Sequence, residues 1–286
     1  METFNIKKIL VPTDFSEQSD NALRTAVAMC KRHKASMVLL NVYEPTANVT
    51  LTEGRAGFYG ETLKEIEKIR RTRLEMIARK IREVDDILVE IQVRMGNVAD
   101  AVCALTDEEM TDIIVMGTHG SSGGLSEFFV GTNTYSVVKE SQVPVLMVPS
   151  SGEWENFKKI LFPLRKFNNS VDKYEAIRPI IEKNDSLLIL LGVVEAKHPA
   201  LVPETYGLLN YFKSKLEYDG VTYESQLYCG DQLAENIMNT AESYHADLIV
   251  IMASNNRKVE NFLASPYSEQ IVNRSRTPVL AINPKA

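Results

Sequence analysis

The sequence predicts an α/β protein of two tandem domains, each a doubly wound sheet of five parallel strands. Three observations lead there. Short apolar runs rich in β-branched residues alternate with longer segments of helical period. Several of these runs are apolar at nearly every position, as strands must be when helices cover both faces of a parallel sheet. Finally, one set of motifs occurs twice, in the same order and at closely similar separations. Lys7-Lys8-Ile9-Leu10-Val11-Pro12 returns as Lys158-Lys159-Ile160-Leu161-Phe162-Pro163, and Asp112-Ile-Ile-Val-Met116 as Asp247-Leu-Ile-Val-Ile251. Val143-Pro144-Val145-Leu146 returns as Thr277-Pro278-Val279-Leu280, and Gly96 is matched by Gly230.

Composition fits this class. The 286 residues suffice for two domains that each bury a core. A net charge of -6 argues against a general nucleic-acid or anionic-membrane binder. The start, Met-Glu-Thr-Phe-Asn-Ile-Lys-Lys, does not resemble a signal peptide, and no apolar run is long enough to cross a bilayer. Cys30, Cys103 and Cys229 are far apart, with no CxxC and no metal spacing, and read as reduced thiols. The expected location is the cytoplasm, with neither membrane nor nucleic acid as a partner.

In chain order, Ile9 to Pro12 is the first strand, and Ser16 is placed to cap a helix over 17–33 whose inner face carries Ala22, Leu23, Ala26, Val27 and Cys30. Ser36 to Val42 is the second strand. Tyr43 to Gly60, polar and containing Pro45, Gly54, Gly57 and Gly60, exceeds an ordinary connection and reads as a lid or mobile segment. A helix over 61–84 follows, with Leu63, Ile66, Leu74, Ile77 and Ile81 inward; the basic residues from Lys64 to Arg82 are interleaved with glutamates and read as its solvated face. Strand 87–93, helix 97–105, strand 112–116, helix 135–140 and strand 143–148 complete the first copy. Ser150-Ser151-Gly152-Glu153 is the linker, giving domains 1–150 and 151–286, and Trp154 beside it reads as an inter-domain packing residue. The second copy places strands at 158–163, 186–193, 221–228, 247–252 and 278–282, with helices at 171–183, 203–218, 231–244 and 266–274. The apolar fifth strands, Val143 to Val148 and Thr277 to Ile282, are expected to pair with each other, since uncovered edges of this kind invite aggregation. A homodimer of the whole chain stays open.

The chemistry concentrates between Asp112 and Thr134. The apolar run ends at Gly117, and Gly120, Gly123 and Gly124 follow, so the backbone can approach a bulky anion without a Cβ in the way. Past Gly131, Thr132 or Asn133 is expected to cap the next helix, whose first N–H groups would face a phosphate. In a sheet of order 3-2-1-4-5, strands one and four flank the point where strand order reverses, and ligands sit there beyond the carboxyl ends. That sets Asp14 and Gly117 on opposite sides of one crevice. Asp14 can accept from ribose hydroxyls or help hold Mg2+ on the phosphates, and the backbone of Val42 can read an adenine edge. The plainer reading of Asp14 is a turn residue before a helix. The second copy lacks these features: Leu164-Arg165 replaces Thr13-Asp14, Met252-Ala-Ser-Asn255 replaces Gly117-Thr-His-Gly120, and Ser265-Pro266 replaces Gly131-Thr132.

Pro12-Thr13-Asp14, with Gly117-x-x-Gly120 and later Gly131-Thr132 before Pro144-Val145, resembles the ATP-binding signature of the universal stress proteins. The whole chain is similar to their tandem two-domain form. The family pattern is Gly, two residues, Gly, nine residues, Gly, then Ser or Thr; here ten residues separate Gly120 from Gly131. The resemblance implies an adenine nucleotide alpha hydrolase-like fold. It also implies ATP held through Pro12, Thr13, Asp14, Val42, Met116, Gly117, His119, Gly120, Gly131, Thr132 and Asn133, and no such site in the second half.

Other motifs carry less. There is no GxxxxGK[ST] and no G-x-S-x-G, which argues against a P-loop ATPase and a serine hydrolase. Ser122-Gly123-Gly124 echoes the loop of ATP pyrophosphatases but follows strand four, not strand one. His119 has no second histidine at ligand spacing, and His33, His198 and His245 sit in polar contexts with no assigned role. The expected function is a nucleotide-binding regulatory protein in the stress response rather than an enzyme, with no catalytic or metal-ligating residue. The alternatives are an interaction module without nucleotide and a slow ATPase or ATP-dependent ligase.

Overall fold

The structure is a computed structural model that describes residues 4–44, 56–118, 131–166, 170–253 and 266–283, with backbone alone at 56–62 and 266. The first half runs β1 (Lys8–Pro12), α1 (Glu17–His33), β2 (Ser36–Tyr43), α2 (Ala56–Asp85), β3 (Val89–Met95), α3 (Val98–Glu108), β4 (Ile113–Gly117), α4 (Thr132–Glu140) and β5 (Val145–Val148). The second runs β6 (Lys159–Leu164), α5 (Ser170–Asn184), β7 (Leu187–Glu195), α6 (Val202–Asp219), β8 (Tyr223–Gly230), α7 (Leu233–Tyr244), β9 (Leu248–Met252), α8 (Pro266–Arg274) and β10 (Val279–Ile282).

These strands form one sheet in the order β3-β2-β1-β4-β5-β10-β9-β6-β7-β8. Each half therefore has the predicted 3-2-1-4-5 order, with parallel neighbours. The fifth strands pair with each other as expected, and antiparallel: Met147 lies opposite Val279 and Leu146 opposite Leu280. Period-two alternation sends side chains to two cores. Ile9 and Val11 of β1 face a cluster with Ala26 of α1, Leu74 of α2, Ile177 of α5 and Phe212 of α6. Leu10 faces the other cluster, with Val102 of α3, Val138 of α4, Ile237 of α7 and Ile271 of α8. Helices thus cover both faces, which is why the strands read as unbroken apolar runs.

The helix ends follow local chemistry. Ser16 caps α1, its Oγ accepting from Ser19 N at 3.2 Å, and Lys34 ends the helix in the left-handed region at φ 56°. Asn97 caps α3 in the same way, accepting from Ala99 N at 2.8 Å. Two expectations are corrected. Residues 56–60 are the first turns of α2 and not connection, so the long link from β2 begins past Tyr43 and ends before Ala56; its residues 45–55 lie outside those described. And α4 starts at Thr132 with Gly131 as its N-cap, so neither Thr132 nor Asn133 caps it.

The linker is fixed against α1 and against itself. Asn21 of α1 donates from Nδ2 to the carbonyls of Pro149 and Gly152, at 2.7 and 3.1 Å. Trp154 Nε1 donates to Ser151 O at 2.9 Å, and Gly152, at φ +95°, lies so close to the indole that a Cβ there would be 2.7 Å from the ring. Only glycine suits that conformation and that gap. No described helix is long and apolar enough to cross a membrane.

A crevice at the ends of the first and fourth strands

Pro12, Thr13 and Asp14 leave β1 at its carboxyl end, and Met116 and Gly117 leave β4 beside it. With Val42, Gly131, Thr132 and Asn133 they line one crevice. Nine of the predicted site residues are thus brought together; His119 and Gly120 lie outside the described residues, as do Gly123 and Gly124. The described walls enclose about 90 Å³, less than the roughly 300 Å³ at the lower end of organic-ligand sites. They are a floor and two sides, because residues 119–130 leave and rejoin here: Gly131 N donates to Thr118 O at 2.8 Å, and Thr118 N to Val148 O at 3.1 Å.

The sheet sets the orientation of Val42. Thr13 N donates to Leu40 O at 2.8 Å, so Leu40 presents its backbone toward β1. Successive strand residues alternate sides, so Val42 presents its N–H and C=O the same way, past the point where β1 has ended. The edge of a planar heterocycle in the crevice would meet them. Asn41 stiffens this wall, donating from Nδ2 to Thr13 O at 2.7 Å and accepting from Arg70 at 2.8 Å.

Asp14 answers to both readings of it. It lines the crevice, and its Oδ1 also closes the turn, accepting from Ser16 N at 3.0 Å and Ser16 Oγ at 2.6 Å. Thr13 is buried and structural, its Oγ1 hydrogen-bonded to Ser19 Oγ at 3.0 Å and accepting from Phe15 N at 3.0 Å. Phe15 takes φ 66°, a conformation that is strained for an aromatic residue. The Arg73 guanidinium stacks 4.4 Å over its ring and holds it there. The turn that presents Asp14 is therefore over-determined.

On the opposite side α4 begins with no side-chain cap among the described residues. Thr132 and Asn133, whose N–H groups belong to the unpaired first turn of the helix, both line the crevice. Thr134 instead turns its hydroxyl to Gly117 O at 3.0 Å, tying the helix to the end of β4. The sequence reading missed Ser19, Leu40, Val98 and Thr134 as lining residues. Each sits two or more residues from a glycine or proline signal; only the turn after Pro12 and the cap at Asn97 could have pointed to Ser19 and Val98.

At the corresponding place in the second half, described side chains meet each other. Arg165 Nη2 lies 2.8 Å from Glu195 Oε1 and its guanidinium 4.9 Å over the ring of Tyr267, which is buried at the start of α8. Lys197 pairs with the same Glu195 at 2.7 Å. Its hydrogen bond, with Arg165 alongside, holds the Glu195 carboxyl below the ordinary carboxylate range. Where the first half has a gap, the second has a stacked cation. The cysteines stay away from the crevice: burial pushes the Cys30 thiol up to about 12 and the Cys103 thiol up to about 11, and Cys229 is exposed on β8.

The model of the universal stress protein family matches residues 5–149 and again 157–283. The chain belongs to the universal stress protein family. Among its curated relatives, a universal stress protein of Methanocaldococcus jannaschii is 30% identical over 154 residues, covering 50% of this chain and 94% of that protein. Another from Thermus aquaticus is 32% identical over 144 residues, covering 50% of this chain and 98% of that protein. Such single-length universal stress proteins align with half of the chain. The crystal structure of a universal stress protein from Archaeoglobus fulgidus spans it, matching 99% of this chain and 100% of that one at TM-score 0.80 and 20% identity. That likeness shows the tandem fold.

Proposed function

We propose that the first half binds an adenine nucleotide, ATP in the family reading, and that the protein acts as a nucleotide-responsive regulator in the stress response. The observation that carries this is the convergence on one crevice of three recognition elements. These are the Val42 backbone directed past the end of β1, the Asp14 carboxylate, and the uncapped start of α4 behind Gly117 and Gly131. An adenine edge, ribose hydroxyls and a phosphate chain call for those three chemistries in that order. Asp14 is the one carboxylate among the described lining residues, so Mg2+ would have to take its other ligands from the phosphates and water. The Arg165–Tyr267 stack supports a second half that serves as scaffold and partner, with the domains divided at the linker after residue 150.

Thermal shift with ATP tests this. Ligand at a hundred times its dissociation constant stabilises the folded state by about 2.7 kcal/mol, so millimolar ATP is expected to raise the melting temperature of the full chain. Asp14→Asn keeps the oxygen that closes the turn with Ser16 but loses the charge. It is expected to melt as the wild type without ligand and to bind ATP about tenfold more weakly, the size of one charge-assisted hydrogen bond. No shift at millimolar ATP would favour an interaction module that works without nucleotide.

A further inference from the structure

A larger cavity, about 450 Å³, lies in the second half between the carboxyl ends of α7 and α8 and the linker. Trp154, Glu242, His245, Asp247, Arg274 and Arg276 are among its lining residues. Its volume is within the range of small-ligand sites. It stands at the same end of the molecule as the crevice, because β5 and β10 are antiparallel: Val279 lies opposite Met147, and Met147 opposite Met116. None of its residues lines that crevice, so it is a separate place.

The duplication shows what is particular to it. Thr277-Pro278 matches Val143-Pro144, which sets Arg274 against Glu140 and Arg276 against Gln142. Met110 and His245, both at positive φ two residues before the matched aspartates, are likewise equivalent. Charge is reversed at the first of these pairs and added at the second, and an imidazole stands in place of a thioether at the third. Asp247 brings a second carboxylate to the lining beside Glu242; its Oδ2 is turned to the backbone, accepting from Lys159 N at 2.9 Å. Arg274 and Arg276 are exposed and form no salt bridge with a described residue. The two helix ends oppose an anion by roughly 0.3–1 kcal/mol each, and the Glu242 and Asp247 carboxylates add to that. Two guanidiniums that bind it directly are worth about 1.5–3 kcal/mol per charge-assisted bond, so the arginines prevail.

The indole supplies the other half of a recognition site. Its Nε1 bond to Ser151 O and its packing on Gly152 fix its orientation, so a ring stacking on it orders nothing new. We propose that this cavity binds a small planar aromatic molecule carrying one anionic group, the ring against Trp154 and the anion on Arg274 and Arg276.

Trp154 is the only tryptophan, so its emission reports on this cavity. The full chain is titrated with phenyl phosphate, with phenol as the ring alone and with inorganic phosphate as the anion alone. Phenyl phosphate is expected to change the emission saturably, and each fragment to bind about tenfold more weakly or worse. The double variant Arg274→Ala/Arg276→Ala, altered only at exposed positions, is expected to keep the wild-type circular dichroism and melting temperature while losing at least about tenfold in affinity for phenyl phosphate. No saturable change with phenyl phosphate would overturn the proposal. So would undiminished binding by a folded double variant, or phosphate alone binding as tightly as phenyl phosphate.

Discussion

Lys173 is a buried lysine, and burying it is costly. Its side chain is wholly buried between α5 and β6, with Nζ donating to Pro163 O and lying 4.0 Å over the ring of Phe162, and no carboxylate pairs with it among the described residues. Burial pulls its pKa down to about 7. The unfolded chain binds that proton up to about 10.5, so between pH 7 and 10.5 the unfolded state holds more protons than the folded one. Stability from this group therefore rises with pH across that window and is lowest, and flat, below it. The penalty at neutral pH is on the order of 4 kcal/mol before the hydrogen bond and ring contact are set against it. Lys173→Met keeps the length and the packing while removing the charge. It is expected to raise the melting temperature at pH 7 by several degrees and to abolish the rise between pH 7 and 10 seen in the wild type, as followed by calorimetry at a series of pH values. A variant less stable than the wild type at pH 7 would show that the contacts to Pro163 and Phe162 outweigh burial.

At the scale of the element, α1 and α5 are the same helix twice, and they differ where they end. Lys34 and Asp185 both follow in the left-handed conformation, so His33 and Asn184 are equivalent, and counting back sets Lys173 in the place of Ala22. Asn184 is satisfied: Oδ1 accepts from Phe157 N at 3.1 Å and Nδ2 donates to Ile180 O at 2.8 Å. His33 leaves a buried Nε2 without a partner among the described residues. Burial first, then Arg32 and Lys183 of the other half, hold its pKa down to about 4. A histidine depressed in the folded state loses stability as pH falls from 6.5 to 4, where the unfolded chain takes up the proton and the folded one resists it. His33→Asn restores the chemistry of its twin and is expected to be more stable than the wild type by a margin that widens from pH 6.5 to 4. The comparison of the two melting curves at each pH cancels the carboxylates common to both. Helix ends of this kind were only partly legible. Ser16 and Asn97 announce their helices because a side-chain oxygen before an apolar stripe is a cap wherever it occurs. Gly131 caps α4 with no side-chain oxygen, so the start at Thr132, like that at Ala56, carries no such mark. For the same reason the crevice could be placed from Asp14 and Gly117, which stand at strand ends. Ser19, Leu40, Val98 and Thr134 reach it only through tertiary packing, which one sequence does not display. His33 looked idle for want of that same information, since one of the charges that bear on it, Lys183, stands 150 residues further along the chain.

For the whole molecule, length and seam argue in opposite directions. Chains near 286 residues ordinarily divide into separate cores, and the duplicated sequence invites the view of two domains that melt apart. The seam opposes it. Val145 to Val148 of β5 and Val279 to Ile282 of β10 are at most 4% exposed, and each of the two hydrophobic cores draws residues from both halves. Uncovering even half of those eight side chains costs on the order of 10 kcal/mol at roughly 1.5–3 kcal/mol each, as much as the entire stability of an ordinary domain. Asn283 adds a tie across the seam, donating from Nδ2 to Val138 O at 3.1 Å and Ser141 O at 2.5 Å. Neither half can therefore unfold while the other keeps its sheet edge and its share of the core intact. The full chain is expected to give a single calorimetric transition, with calorimetric and van't Hoff enthalpies equal within error. Two resolved transitions, or a van't Hoff enthalpy near half the calorimetric value, would show that the seam opens first. Cooperativity of this kind has a functional consequence: a ligand held by the first half alone would shift the melting of both halves together, and so would communicate its presence across the seam.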